Sequence, residues 1–333
     1  MKKNKNAASS RKEKKTENAK EVPLKGEDLW RPLYPFQSHY LRIGGYSMHY
    51  IDEGPHSERN FAGKNSGSSS QSGSLPVLLF VHGNPTWSFY WRKLILAFRE
   101  KYRVIAIDHI GCGLSEKPPE KEYPYTLERR IADLTAFIKK LNLQNITLVA
   151  HDWGGAIGLG TAEKNEKRFS RFVLMNTGAF LSDACPLRIR ICRIPLLNRL
   201  LLQGLNAFSL AALRMATANP LHLDKGTRAG LIAPYSSWAN RVAVYNFVQD
   251  IPLSEKHRSY QRLKEIQQDL VLFQEKPISL IWGMQDWCFT PEFLKKFLQF
   301  FPAAEIHRIE KAGHYVVEDA PEEIIAIMNE FLQ

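Results

Sequence analysis

Short apolar runs alternate with helical stripes through most of this chain. Val77-Leu-Leu-Phe-Val81 and Ile146-Thr-Leu-Val-Ala150 are nearly continuous apolar runs, the pattern of strands buried on both faces. With them, Val77–His82 and Ile146–His151 predict strands, as do His39–Arg42, Ser47–Asp52, Arg103–Asp108, Phe172–Met175, Ile278–Trp282 and Glu305–Ile309. Helical periodicity follows several of these, over Trp91–Phe98, Leu127–Leu141, Gly155–Glu163, Pro291–Phe300 and Pro321–Leu332. The last two open with Pro then Glu, a favourable first turn because Pro needs no N–H partner there and the acid complements the helix dipole. This order predicts the α/β class, with a mostly parallel eight-stranded sheet between layers of helices.

The alternation breaks over residues 179–276, which are Leu- and Arg-rich and helical in character. We expect a cap of helices inserted over the carboxyl ends of the strands, where open α/β sheets bind ligands. Two polar stretches lack apolar pattern. Residues 1–30 predict a disordered basic leader, and residues 56–74, containing Gly63-Lys-Asn-Ser-Gly-Ser-Ser-Ser-Gln-Ser-Gly-Ser74, a disordered loop. The α/β core then spans 31–178 and 277–333, with a size of about 270 residues including the cap, normal for one such domain.

Composition changes this picture little. The chain is 44% hydrophobic and 24% charged, ordinary for a globular protein. Of the net charge of +11, residues 1–26 supply +6, from nine Lys or Arg against three Glu. The leader reads as a solvated extension, with docking to a partner or a membrane surface as the alternative; the mildly basic remainder points to no nucleic-acid partner. No apolar segment follows the lysines as in a signal peptide, and Ile189–Met215 is interrupted by Arg193, Asn198, Arg199, Gln203 and Asn206, which excludes a transmembrane helix there. Cys112, Cys185, Cys192 and Cys288 show neither metal-ligand spacing nor a disulfide framework, so a cytoplasmic setting is expected. Gly111 and Gly113 follow a strand without the full dinucleotide fingerprint, and no cofactor is implied.

The chemistry concentrates at Ala150-His-Asp152-Trp-Gly154, where a strand ends and a helix begins. Small residues two positions either side of a nucleophile mark the elbow of the α/β-hydrolase fold, whose tight turn brings strand and helix backbones together. Asp152 alone could be a helix cap; chain order argues for more. In this fold the nucleophile is followed by an acid and then a histidine. Asp286 lies just past the strand Ile278–Trp282, and His314 follows the last strand. The other position for the acid, after Phe172–Met175, holds Asn176. A carboxylate nucleophile can attack sp3 carbon and form an ester. Asn84, in His82-Gly-Asn-Pro85, and the indole of Trp153 are candidate donors to a halide or a developing carboxylate oxygen, although Trp153 can equally serve packing.

His82-Gly-Asn-Pro, Asp108-His-Ile-Gly-Cys-Gly-Leu-Ser-Glu-Lys-Pro, His151-Asp-Trp-Gly-Gly, Asn176-Thr-Gly-Ala-Phe and Gly313-His-Tyr resemble the haloalkane dehalogenase family from about Tyr40 to Gln333, most nearly its third subfamily. Within it, Asn206-Ala-Phe-Ser, Ala233-Pro-Tyr, Phe247-Val-Gln-Asp-Ile-Pro-Leu-Ser and Asp286-Trp-Cys-Phe resemble the β-lactone decarboxylases of long-chain olefin biosynthesis. That resemblance implies a small hydrophobic substrate, a cis-dialkyl β-lactone converted to a cis-alkene and carbon dioxide, and other olefin-pathway enzymes as partners. The Leu-rich stretch Leu196–Leu213 would suit alkyl chains or simply be the apolar face of cap helices. Haloalkane hydrolysis is the alternative. An epoxide hydrolase would further need cap tyrosines such as Tyr235 and Tyr245, and a non-catalytic scaffold would be expected to lack one of the three catalytic residues.

Overall fold

The computed structural model describes residues 26–55, 75–182, 186–194 and 197–333. The expected loop 56–74, Cys185 and most of the expected leader lie outside these residues.

Eight strands form one sheet: β1 (His39–Ile43), β2 (Tyr46–Glu53), β3 (Val77–Val81), β4 (Arg103–Ile107), β5 (Ile146–Asp152), β6 (Phe169–Thr177), β7 (Ile278–Gly283) and β8 (Glu305–Ile309), in the order β1-β2-β4-β3-β5-β6-β7-β8. Only β2 runs against its neighbours; every other pairing is parallel. The apolar runs explain the burial. Every residue of β3 and β5 is buried, and successive side chains point to opposite faces. Leu148 joins Ile131 and Phe172 on one face of the sheet, while Val149 joins Phe80, Trp91 and Met175 on the other.

Four helices precede the break: α1 (Glu27–Trp30), α2 (Arg92–Phe98), α3 (Leu127–Lys140) and α4 (Trp153–Glu163). In α3, the Thr126 side chain caps the first turn by accepting the Arg129 N–H at 3.2 Å, and Lys139 and Lys140 occupy the last turn, where cations complement the dipole. Between β6 and β7 the chain leaves the sheet as α5 (Leu187–Ile191), α6 (Leu197–Arg199), α7 (Ala207–Met215), α8 (Lys225–Ile232), α9 (Val242–Gln249) and α10 (Tyr260–Asp269). It returns through α11 (Pro291–Phe300), α12 (Val316–Asp319) and α13 (Pro321–Phe331). A buried ion pair ties these layers: Arg92 of α2 donates to both carboxylate oxygens of Glu318 in α12 and, at 3.0 Å, to Thr227 of α8.

The leader boundary drawn at residue 30 needs correction. Glu27–Trp30 are helical, and Trp30 is fully buried, edge-on to Trp87 at 5.6 Å and beside Tyr34 and Phe89. This aromatic cluster binds the segment before β1 to the body of the fold, because each ring removes a large apolar area from water.

Candidate active site

The end of β5 and the start of α4 place Asp152 in a strained turn, with φ 55° and ψ −129°. The turn is possible because its neighbours are small: a Cβ on Gly154 would collide with the Val81 carbonyl, and one on Gly83 with the Asp152 carboxylate itself. Thr177 of β6 donates its hydroxyl to the Asp152 carbonyl. The side chain of Asp152 does not cap α4; Oδ1 instead accepts the Asn84 N–H at 2.6 Å. Burial pushes the Asp152 carboxyl above the ordinary aspartate range, although the charge of His314 and the amides of Trp153 and Asn84 oppose this.

Oδ2 of Asp152 lies 3.6 Å from Nε2 of His314. On the other side of the ring, Nδ1 donates to Oδ2 of Asp286 at 2.9 Å. Burial pulls the His314 imidazole down, but the charge of Asp286, its hydrogen bond and the charge of Asp152 outweigh this and hold it above its ordinary value. Asp286 is fixed in turn: Oδ1 accepts the Cys288 N–H at 2.6 Å and Oδ2 the Asn176 amide at 3.0 Å. The three residues expected to act together therefore lie in one line of contacts.

Two supporting residues were not assigned such roles from sequence. Asn176 leaves β6 with φ 33°, donates to the Gly283 carbonyl at 3.1 Å and accepts the Gly283 N–H at 2.8 Å, so it also staples the end of β7. His151 donates from Nε2 to the His314 carbonyl at 2.8 Å, with the two rings 4.5 Å apart. Burial and the neighbouring His314 hold His151 well below the ordinary imidazole value, so it is a neutral donor. Asn176 was visible only as the place where the acid is absent; its contact with Asp286 depends on the β6–β7 register.

Asn84, Asp152, Trp153 and His314 all line one cavity of about 530 Å³. Most of its remaining wall is apolar, contributed by Phe180, Leu202, Phe208, Val248 and Phe289 among others. Asn84 is buried and donates from Nδ2 to the Val244 carbonyl of α9 at 3.2 Å. An amide nitrogen carries two hydrogens, so one remains for a ligand. The Trp153 ring packs against Phe247 of α9 at 5.6 Å. The cap tyrosines behave otherwise. Tyr235 is fully buried and donates to the Thr86 carbonyl at 3.1 Å, the Tyr245 ring lies 4.6 Å beneath the Arg199 guanidinium, and neither lines the cavity. Neither is placed to serve the epoxide-hydrolase alternative as a proton donor.

A family model for the α/β hydrolase fold matches residues 76–225. The chain is 42% identical over 304 residues to a cis-3-alkyl-4-alkyloxetan-2-one decarboxylase of Shewanella oneidensis, covering 90% of this chain and 89% of that protein. It is 35% identical to the one of Xanthomonas campestris pv. campestris, covering 91% and 98%. The chain belongs to the α/β-hydrolase family that holds these decarboxylases. This enzyme is also 28% identical to haloalkane dehalogenase 2 of Mycobacterium tuberculosis, over 90% of this chain and 96% of that one. Its fold matches the solved haloalkane dehalogenases DatA from Agrobacterium tumefaciens, with TM-score 0.75, 23% identity and coverage of 89% and 96%, and DbeA from Bradyrhizobium, with TM-score 0.74, 24% identity and coverage of 89% and 98%. The resemblance drawn from the motifs and the α/β-hydrolase fold class are both borne out.

Proposed function

We propose that this enzyme decarboxylates a cis-3,4-dialkyl β-lactone to a cis-alkene and carbon dioxide, with Asp152 as nucleophile. The observation that carries the reading is the 42% identity, over nine-tenths of the chain, to an oxetan-2-one decarboxylase. The site is compatible with it. A four-membered lactone with two alkyl arms is mostly apolar, as is the cavity wall, and its reacting end needs a carboxylate and donors for a departing oxygen.

In the proposed route the Asp152 carboxylate attacks the ring carbon that bears the lactone oxygen. That C–O bond breaks, leaving an ester to Asp152 and a free carboxylate on the adjacent carbon. Asn84 and Trp153 receive the new negative charge; donors already in place need no reorganisation as charge develops. The bond to the carboxylate then breaks, its electron pair forms the C=C bond, carbon dioxide departs and Asp152 is released with the electrons of its own ester bond. No water is consumed. Inversion in the attack followed by anti elimination converts a cis-lactone to a cis-alkene. His314, oriented by Asp286, keeps Asp152 ionised.

The second reading is haloalkane hydrolysis, favoured by the same donor pair and the 28% identical dehalogenase relative. There water, activated by His314, must attack the Asp152 ester. Gas chromatography of purified enzyme with a cis-dialkyl β-lactone, beside a dibromoalkane and Asp152→Ala controls, separates the two. Alkene from the lactone, absent with Asp152→Ala, is the expected result; alcohol and bromide from the second vial with the lactone untouched would replace it. We further assign the enzyme to the cytoplasm, beside the enzymes that supply its reactive lactone. Co-purification of this chain with nothing else would count against that assignment of partners.

A further inference from the structure

The cap helices that wall the cavity turn apolar side chains to the outside as well. In α5, Ile189 is buried, while Leu187 and Ile191, one turn apart on the opposite side, are 72% and 43% exposed. Leu197 and Leu200 are exposed in the next helical stretch, above buried Asn198 and Leu202. In α7, Leu210 and Arg214 are exposed, above buried Ser209 and Leu213. Inside, Ile189, Leu202 and Phe208 share one small core, so the three pieces form one body. Trp238, half exposed, lies beside Gly204 at its edge. A soluble surface rarely gathers this much apolar area without something to cover it.

The cap segment that builds this face supplies charge of one sign. Residues 184–223 contain five arginines and no Asp, Glu or Lys. Arg199 is engaged by Glu120 at 2.5 Å, and Arg193 by the carbonyls of Val248 and Ile251 at 2.9 and 2.7 Å. Arg188, Arg190 and Arg214 stay exposed. Arg188 and Ile191 also line the cavity, so the face is continuous with its rim.

We propose that this face of the cap rests on an anionic lipid bilayer, with the outward Leu and Ile side chains at the headgroup–acyl boundary, the arginines on lipid phosphates and the cavity rim facing the membrane. Apolar side chains interleaved with cations, an exposed Trp and no acidic residue within 184–223 are the composition that lies in an interface. Among the described residues no helix is long and apolar enough to cross a membrane, so the chain lies on the bilayer there. An apolar substrate dissolved in the membrane would reach the site without crossing water.

The test is flotation of the full chain with vesicles of phosphatidylcholine alone or with one-third phosphatidylglycerol. It needs no substrate and stands apart from the lactone reading. Wild type is expected to float with the anionic vesicles, less so at high salt. L187S/L200S/L210S, and separately R190E/R214E, should weaken partitioning at least ~tenfold, with an unchanged thermal midpoint showing that the variants fold. Failure of wild type to float overturns the proposal. Undiminished binding by both variants overturns it too and assigns the binding to the basic leader. A wild-type dimer that the triple variant dissolves, without vesicle binding, would show instead that a second copy covers this face.

Discussion

Asn176 and His314 share one oxygen of Asp286: the Asn176 amide donates to Oδ2, which also accepts Nδ1–H of His314, at 3.0 and 2.9 Å. An acid in this fold can follow either of two strands, and here the unused position supplies the hydrogen bond that orients the used one. Asn176→Gly tests this cleanly, because glycine tolerates the positive φ that alanine would strain. The substitution leaves the Gly283 amide and one lone pair of Asp286 without partners, a loss of about 1–3 kcal/mol. We expect a lower unfolding midpoint and a kcat reduced ~tenfold with little change in KM. Activity equal to wild type would show that Asp286 needs no such support.

His314 separates the two chemistries. If water never attacks an ester on Asp152, His314→Phe should keep lactone turnover within about tenfold of wild type at a pH alkaline enough to ionise Asp152 without its help, rather than suffer there the ~10²–10⁴-fold loss that follows removal of a general base. With a bromoalkane the same variant should stall as an alkyl ester, seen as a mass gain on the peptide containing Asp152. Loss of lactone activity by the larger factor would make His314 a proton-transfer residue in decarboxylation as well.

These predictions rest on residues that differ in how far the sequence revealed them. Asp152 was legible because an elbow needs a buried run before it, small residues around it and a helix after it, all local features. Asp286 and His314 followed from chain order. Asn176 was read only as a missing acid, since its partners Gly283 and Asp286 are 107 and 110 residues away and meet it only through the β6–β7 register. Tyr235 and Tyr245 could be named only as what an epoxide hydrolase would need, for the same kind of reason: which way a cap helix faces is decided by packing against the core, not by its own pattern. Trp30 was hidden in a polar leader because one aromatic residue carries no periodicity; its burial needed Trp87 and Phe89, more than fifty residues on.

Two upward shifts set how stability depends on pH. The Asp152 carboxyl is raised, so its ionised form costs stability once pH exceeds the unfolded value of about 3.9. The His314 imidazole is also raised, so its protonated form contributes stability below about 6.5 that is lost as pH rises through the folded value. The unfolding midpoint should therefore fall between about pH 6 and pH 8. Asp152→Asn removes the carboxylate cost and one of the charges that raise His314, so its midpoint at pH 8 should exceed that of wild type and decline less steeply. Differential scanning fluorimetry across this range checks both; a wild-type midpoint rising toward pH 8 would contradict the assigned directions.

Arg130 of α3 is a buried cation with no acceptor among the described residues. It is 1% exposed, and Nε, Nη1 and Nη2 have no hydrogen-bond partner among the described residues. Its guanidinium lies 3.6 Å over the ring of Phe247 and 5.5 Å from that of Tyr125. A guanidinium keeps its charge, and stacking on aromatic faces returns about 2 kcal/mol when desolvated, less than the several kcal/mol that burying an ion takes. Methionine has a similar unbranched stem and no charge to bury. Arg130→Met should accordingly raise the unfolding midpoint, by roughly 1–2 °C for each kcal/mol gained in a chain of this size. Phe247 packs on Trp153, so the same variant should loosen that indole and weaken lactone turnover even as the fold becomes more stable. A midpoint that falls would mean that the stacking outweighs the desolvation and that Arg130 is retained for stability alone.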